Sequence, residues 1–102
     1  MDSDQFFRIA KALSDPRRFE IFETVVQEEE CGCSHLCGQF DVTQPTISHH
    51  LKELVTAGLL ESRRDGQFVL YRPRPEVLDA YTQELRRRLP RLPGGLPVAR
   101  RG

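Results

Sequence analysis

The chain has 102 residues, with 15 Lys/Arg balanced by 15 Asp/Glu, three His, three Cys and no Trp. This length supports one modest core and leaves no room for a catalytic fold beside a separate regulatory module. No apolar run approaches the ~20 residues of a membrane span, and MDSDQFFRIAK lacks the plan of a secretory leader. The expected compartment is therefore the reducing cytoplasm, where three thiols serve as ligands or redox groups rather than as structural disulfides.

Phe6, Ile9, Ala10 and Leu13 recur at helical spacing and predict a first amphipathic helix over Asp4 to Leu13. Ser14-Asp15-Pro16 ends it and starts a second, with Asp15 as capping acceptor and Pro16 where a missing N–H costs nothing. This second helix, RRFEIFETVVQEE, is expected to turn Phe19, Phe22, Val25 and Val26 inward. Cys31-Gly32-Cys33 reads as a break, and Ser34 as the cap of a short third helix, HLCGQF, ending near Asp41. Thr43 caps a fourth helix that runs to Ala57 and stops at Gly58.

In the fourth helix Ile47, Leu51, Leu54 and Val55 form the core stripe, which leaves Gln44, Thr46, Ser48, His49, Lys52 and Glu53 for the other faces. A short helix, a tight turn and a second helix with a polar N-terminal half describe a helix-turn-helix, whose second helix enters the DNA major groove N-terminus first. Gln44 suits an adenine edge, while Thr43, Thr46, Ser48, His49 and Lys52 suit bases or phosphates. ESRRDGQFVLYRP then gives two extended runs about Asp65-Gly66, a strong hairpin signal, and a basic hairpin after a DNA-reading helix is a wing. Arg63, Arg64 and Arg72 would lie against backbone phosphates and supply affinity rather than sequence choice.

Charge is unevenly distributed along the chain. Residues 1–42 hold 4 Lys/Arg and 9 Asp/Glu, whereas residues 43–102 hold 11 and 6. The second part carries the footprint of a phosphate-binding surface, a solvated basic face being the alternative. Pro75 opens a last helix whose Leu78, Tyr81, Leu85 and Leu89 form a stripe with no partner in so small a core. Together with Phe6 and Phe7 it predicts a dimer interface. Residues 1–92 are thus read as one mainly α winged helix-turn-helix domain of order ααααββα, homodimeric, and residues 93–102, rich in Pro, Gly and Arg, as a disordered tail.

KALSDPRRFEIFETV followed by TQPTISHHLKELVTAGLLESRRDGQFVLYRP closely resembles the ArsR/SmtB family of bacterial winged-helix repressors, over roughly residues 6 to 90. The resemblance implies a homodimer on a palindromic double-stranded operator, released when an inducer binds. Arsenic-sensing members carry C-x-C-x-x-C at the start of the third helix. Here ECGCSHLC reads C-x-C-x-x-x-C, with Cys37 in the place of the last cysteine and Cys31 and Cys33 one residue further upstream. Zinc-sensing members use acidic and His ligands on the last helix, where this chain has Asp79 and Glu84 but no His.

Cys33 and Cys37 are four residues apart and can share one side of a helical turn, while Cys31, beside Gly32, can fold back toward them. Three soft thiolates without a fourth ligand suit a trivalent thiophilic ion, arsenite or antimonite, better than zinc, and no organic cofactor is expected. A Cys3His zinc site using His35, a cadmium site and a thiol redox switch are the competing uses of the cluster, and small buried side chains without function are the structural alternative. A helix N-terminus would lower the thiol pKa values, whereas Glu28, Glu29 and Glu30 would raise them. His49 is expected to face DNA, His50 to pack or cap, and Tyr71 to be core or groove-lining. An enzyme reading fails because residues two apart, such as His35 and Cys37, do not face each other on a helix, and no oxyanion loop accompanies them.

Overall fold

The computed structural model describes residues 1–91, so the expectation for a tail over 93–102 lies outside the described residues. The elements are α1 (Ser3–Leu13), α2 (Pro16–Glu28), β1 (Cys31–Gly32), α3 (Cys33–Gln39), α4 (Gln44–Ala57), β2 (Leu60–Asp65), β3 (Phe68–Pro73) and α5 (Pro75–Arg88). Helix α4 is central: α1, α2, α3 and β2 all pack against it. Its Ile47, Leu51 and Leu54 are fully buried with Ile9, Ile21, Val25, Leu36 and Leu59. Truncating one such leucine to Ala costs about 2–5 kcal/mol.

Local chemistry sets the helix ends. The Asp2 carboxylate accepts from the Gln5 backbone N–H at 2.8 Å, so α1 begins one residue before the expected Asp4. The Asp15 carboxylate accepts from the Arg18 N–H at 2.9 Å, and Pro16 occupies the first turn of α2. That backbone hydrogen bond is the main reason the Asp15 pKa lies below its ordinary value. Helix α4 ends at Gly58, whose φ of 90° is left-handed. The missing Cβ also leaves room for Gln5, whose Nε2 donates to the Ala57 carbonyl at 3.2 Å; a Cβ on Gly58 would stand 2.7 Å from that nitrogen.

Three expectations are corrected. In α2 the inward side chains are Ile21, Phe22 and Val25, while Phe19 and Val26 remain 40% and 46% exposed. Two apolar stripes overlap on that helix, and the position of α4 selects the one containing Ile21. Helix α3 starts at Cys33 behind Gly32, with no side-chain cap, so Ser34 lies inside its first turn. Cys31-Gly32 is not a break but a two-residue strand. It extends the hairpin to a three-stranded antiparallel sheet of order β1-β3-β2, with Cys31 opposite Tyr71 and Gly32 opposite Leu70.

The hairpin turn falls on Gly66-Gln67, because Asp65 pairs with Phe68. Gly66 has φ of 65°, which suits the first central position of a type II′ turn. Glu29, which closes α2, holds φ of 70° without being glycine, a costly conformation directly before the thiol segment.

Candidate nucleic-acid interface and thiol site

Helix α4 presents Thr43, Gln44, Thr46, Ser48, His49 and Lys52 on its exposed side, while Ile47, His50, Leu51 and Leu54 are buried. Gln44, Ser48 and Lys52 follow one another at intervals of four, forming a polar stripe along the helix. Thr43 precedes the helix but makes no side-chain cap to its backbone, contrary to expectation; its hydroxyl pairs instead with that of Thr46 at 3.1 Å. His50 faces inward, and burial, followed by the nearby Arg18 charge, holds its pKa below the ordinary histidine value. It is therefore a packing residue, whereas His49 is exposed beside the reading stripe.

The wing is less freely basic than its sequence implies. Arg63 donates from Nε and Nη2 to the two carboxylate oxygens of Glu30, at 2.7 and 2.9 Å. This bidentate pair pulls the Glu30 pKa down and pushes that of Arg63 up. Arg72 pairs with Glu61 on the adjacent strand, while Arg64 makes no ion pair among the described residues. Sequence reasoning missed Glu30 and Glu61. The hairpin register would have disclosed Glu61, which lies opposite Arg72, but Glu30 arrives only because β1 docks on β3. At the turn, Phe68 is 61% exposed.

The thiols divide into one and two. Cys31, on strand β1, is buried in the core, and burial, with a smaller contribution from Glu28, pushes its pKa up to about 11. Cys33 and Cys37 are half-buried on one side of α3. The Cys37 pKa is raised first by burial, then by the charge of Cys33 and a hydrogen bond between the two thiols. Cys33 Sγ also lies 3.7 Å from Ser48 Oγ, within sulfur hydrogen-bond range.

A cleft of about 480 Å³ opens between α3, α4 and the wing, with Cys33, Gln44, Ser48, Leu70 and Tyr71 in its lining. Tyr71 is groove-lining, and its pKa is raised by burial and then by Cys33. Cys31 is not free to fold toward the pair while β1 is hydrogen-bonded to β3. Among the described residues, no three His, Cys, Asp or Glu side chains gather where they could hold a metal ion. His35 lies 3.7 Å from Glu28 instead of joining the thiols.

The residues expected at a dimer interface also divide. Phe6 is buried within the protomer, its ring 5.2 Å from that of Tyr81, and Leu78 and Tyr81 pack partly against the core. They therefore have partners inside one chain, contrary to expectation, whereas Phe7, Leu85 and Leu89 are exposed. Arg88 fastens the two helices. Its guanidinium lies 4.2 Å from the Phe6 ring centre, and it donates to Glu84 at 2.8 Å and to the Ser3 hydroxyl at 2.9 Å. Glu84 is 7% exposed, and its hydrogen bonds from Arg87 and Arg88 lower its pKa to about 2. This pairing occupies the Glu84 carboxylate.

A core-bound reading helix with an exposed polar stripe, flanked by a short helix and a β-hairpin wing, defines a DNA-binding winged helix-turn-helix protein. A helix-turn-helix domain family model matches residues 13–63. The chain is 39% identical over 85 residues to the arsenical resistance operon repressor of Staphylococcus xylosus, covering 83% of this chain and 81% of the relative. Among solved structures it superposes on an ArsR-like transcriptional regulator from Rhodococcus sp. RHA1 with a TM-score of 0.78 and 28% identity, over 85% of this chain and 81% of that one. It also matches a homodimeric winged helix-turn-helix domain from Mycobacterium bovis, with a TM-score of 0.69 and 26% identity, over 93% and 88% of the two chains. The chain belongs to the ArsR/SmtB family of winged-helix regulators and is an ArsR-type transcriptional repressor rather than an enzyme.

Proposed function

We propose that the protein is a homodimeric cytoplasmic repressor that holds a palindromic operator and releases it when its thiols capture a trivalent thiophilic ion, arsenite or antimonite. One observation carries this reading: Cys33 stands between a second thiol, Cys37, and Ser48 of the DNA-reading stripe. The name of the Staphylococcus xylosus relative supports arsenic as the effector, and the homodimeric Mycobacterium bovis domain supports the assembly.

Cys33 and Cys37 are the primary ligands. Each loses its thiol proton to a hydroxide leaving arsenic, so two As–S bonds and two waters form and arsenic stays trivalent. Cys31 becomes the third ligand once β1 separates from β3. Gln44, Thr46 and Ser48 read the groove with His49, while Thr43, Lys52, Arg63, Arg64 and Arg72 steady the phosphates, Arg64 making no ion pair among the described residues. The dimer seam uses the exposed Phe7 and Leu85, backed by Phe6, Leu78 and Tyr81.

The test is fluorescence anisotropy on a duplex that the protein selects from a random-sequence pool, titrated with arsenite, antimonite, cadmium, zinc and peroxide. Arsenite should weaken wild-type binding by about 5- to 150-fold and leave Cys33→Ser and Cys37→Ser bound. The reading is wrong if arsenite leaves the wild-type complex intact or releases both serine variants equally well. Release by cadmium alone, or by peroxide alone, would replace it with a divalent-ion or a redox sensor.

A further inference from the structure

Ser48 occupies an unusual position on α4. It is exposed, it sits between Gln44 and Lys52 in the polar stripe, and its hydroxyl is 3.7 Å from the Cys33 sulfur on α3. This is a direct side-chain bond between the thiol-bearing helix and the reading stripe. Gln44, one turn earlier, lines the same cleft as Cys33 and Ser48. The thiol site and the reading surface therefore share a wall, and no chain of intermediate residues separates them.

From this contact we infer that Ser48 is the positioning residue through which the state of the Cys33 thiol sets the DNA affinity of α4. The inference rests on the reading of Cys33 and Cys37 as the arsenite ligands. In the unliganded protein Cys33 and Ser48 share one hydrogen bond, which fixes the Ser48 rotamer and with it the first turns of α4 against α3. When Cys33 bonds arsenic, its S–H proton leaves in water and an As–S bond takes the place of the S–H bond, which changes what the sulfur offers the Ser48 hydroxyl. Arsenic held by Cys33 would crowd the cleft that Cys33 lines together with Gln44 and Ser48. Ser48 must turn away, and the groove-reading stripe loses its arrangement. A ligand shifts an equilibrium only by its differential affinity for the two states, and here the difference is made at one contact.

The experiment compares full-length wild type, Ser48→Ala and Ser48→Thr, with sodium arsenite as the probe. Arsenite capture is read from the near-ultraviolet absorption of As–S bonds, and DNA affinity from anisotropy with and without arsenite. The readout is the ratio of the two DNA affinities, which removes any contribution of the hydroxyl common to both states. The expected result is equal arsenite capture by all three proteins, with a release factor in the 5- to 150-fold range for wild type and Ser48→Thr and under about 3-fold for Ser48→Ala.

If Ser48→Ala captures arsenite and is released as fully as wild type, Ser48 is not the coupling residue, and the repressor reading stands. If wild type itself fails to capture arsenite or to release DNA, the arsenite reading fails and takes the inference with it. Should Ser48→Ala bind DNA too weakly to measure, amide NMR of wild-type protein decides. On adding arsenite the Ser48 amide should shift far more than that of Thr56 at the other end of α4, and equal or absent shifts would overturn the inference.

Discussion

The thiol stretch between α2 and α3 and the face shared by α1 and α5 are fastened to the core in opposite ways. The first leaves α2 through Glu29 in a left-handed conformation, pairs for only two residues with β3, and meets α4 through the buried Leu36 and, among its polar groups, a 3.7 Å thiol–hydroxyl contact. The second is tied by a buried carboxylate with two arginines, a guanidinium stacked on Phe6, and a hydrogen bond to Ser3. Strained backbone and weak polar contacts confer little stability, so small energies can rearrange them. A charge-assisted network with aromatic packing confers more and resists rearrangement. The thiols thus sit on a short strand and a weak polar contact, whereas α1 and α5 are joined by an ionic and aromatic network.

Phe6→Ala should break the dense side most visibly. It removes a ring that is 6% exposed along with the stacking of Tyr81 and Arg88. A loss of about 3–5 kcal/mol in urea unfolding is expected, and a loss under 1 kcal/mol would mean that the α1–α5 face is not the firm one. On the thiol side, alkylation with iodoacetamide at pH 8, followed by mass spectrometry of each peptide, should separate the three cysteines. With its pKa about two units above an ordinary thiol, Cys31 has roughly 100-fold less thiolate, and burial slows it further. Equal reactivity of Cys31 with Cys33 and Cys37 would show that β1 is already detached.

The carboxylate network makes a pH prediction. Glu84 has a pKa lowered from 4.5 to about 2 in the folded protein, so its contribution to stability is fully present above about pH 5 and is lost as pH falls toward 2. Glu84→Gln should give a shallower fall of stability over that window than wild type, measured by urea unfolding at a series of pH values. An identical slope would remove Glu84 as a pin of α5. The smallest effect belongs to the strained turn: Glu29→Gly should stabilise the protein by about 0.5–1 kcal/mol by relieving the left-handed conformation. Destabilisation there would mean that the strain is compensated by contacts of the glutamate side chain.

Helix α4 and the hairpin were legible in the sequence, because their signals are local: a 3.6-residue apolar period closed by Gly58, and extended runs about a glycine turn. What escaped reading depends on contacts remote in sequence. Cys31-Gly32 has no strand pattern of its own and becomes one because the free edge of β3 passes beside it. Spacing put Cys31, Cys33 and Cys37 in one group, yet burial of Cys31 within that strand sets it apart. Charge counting could not see that Glu30 and Glu61 would occupy Arg63 and Arg72. In α2 two overlapping stripes fit the same period, and only the docking of α4 chooses Ile21 over Phe19 and Val26.

The bond from Gln5 to the Ala57 carbonyl, admitted by the bare Cα of Gly58, joins the first helix to the tail of the reading helix. In the proposed dimer, whose seam includes α1, that bond makes each reading helix an arm of a caliper with α1 near the pivot. The gap between the arms is then fixed by folded protein and not by a linker. Such an instrument measures the phase of the double helix: it grips two half-sites about one turn, roughly 34–36 Å, apart, and loses its purchase when a few inserted base pairs rotate one half-site to the far side of the duplex.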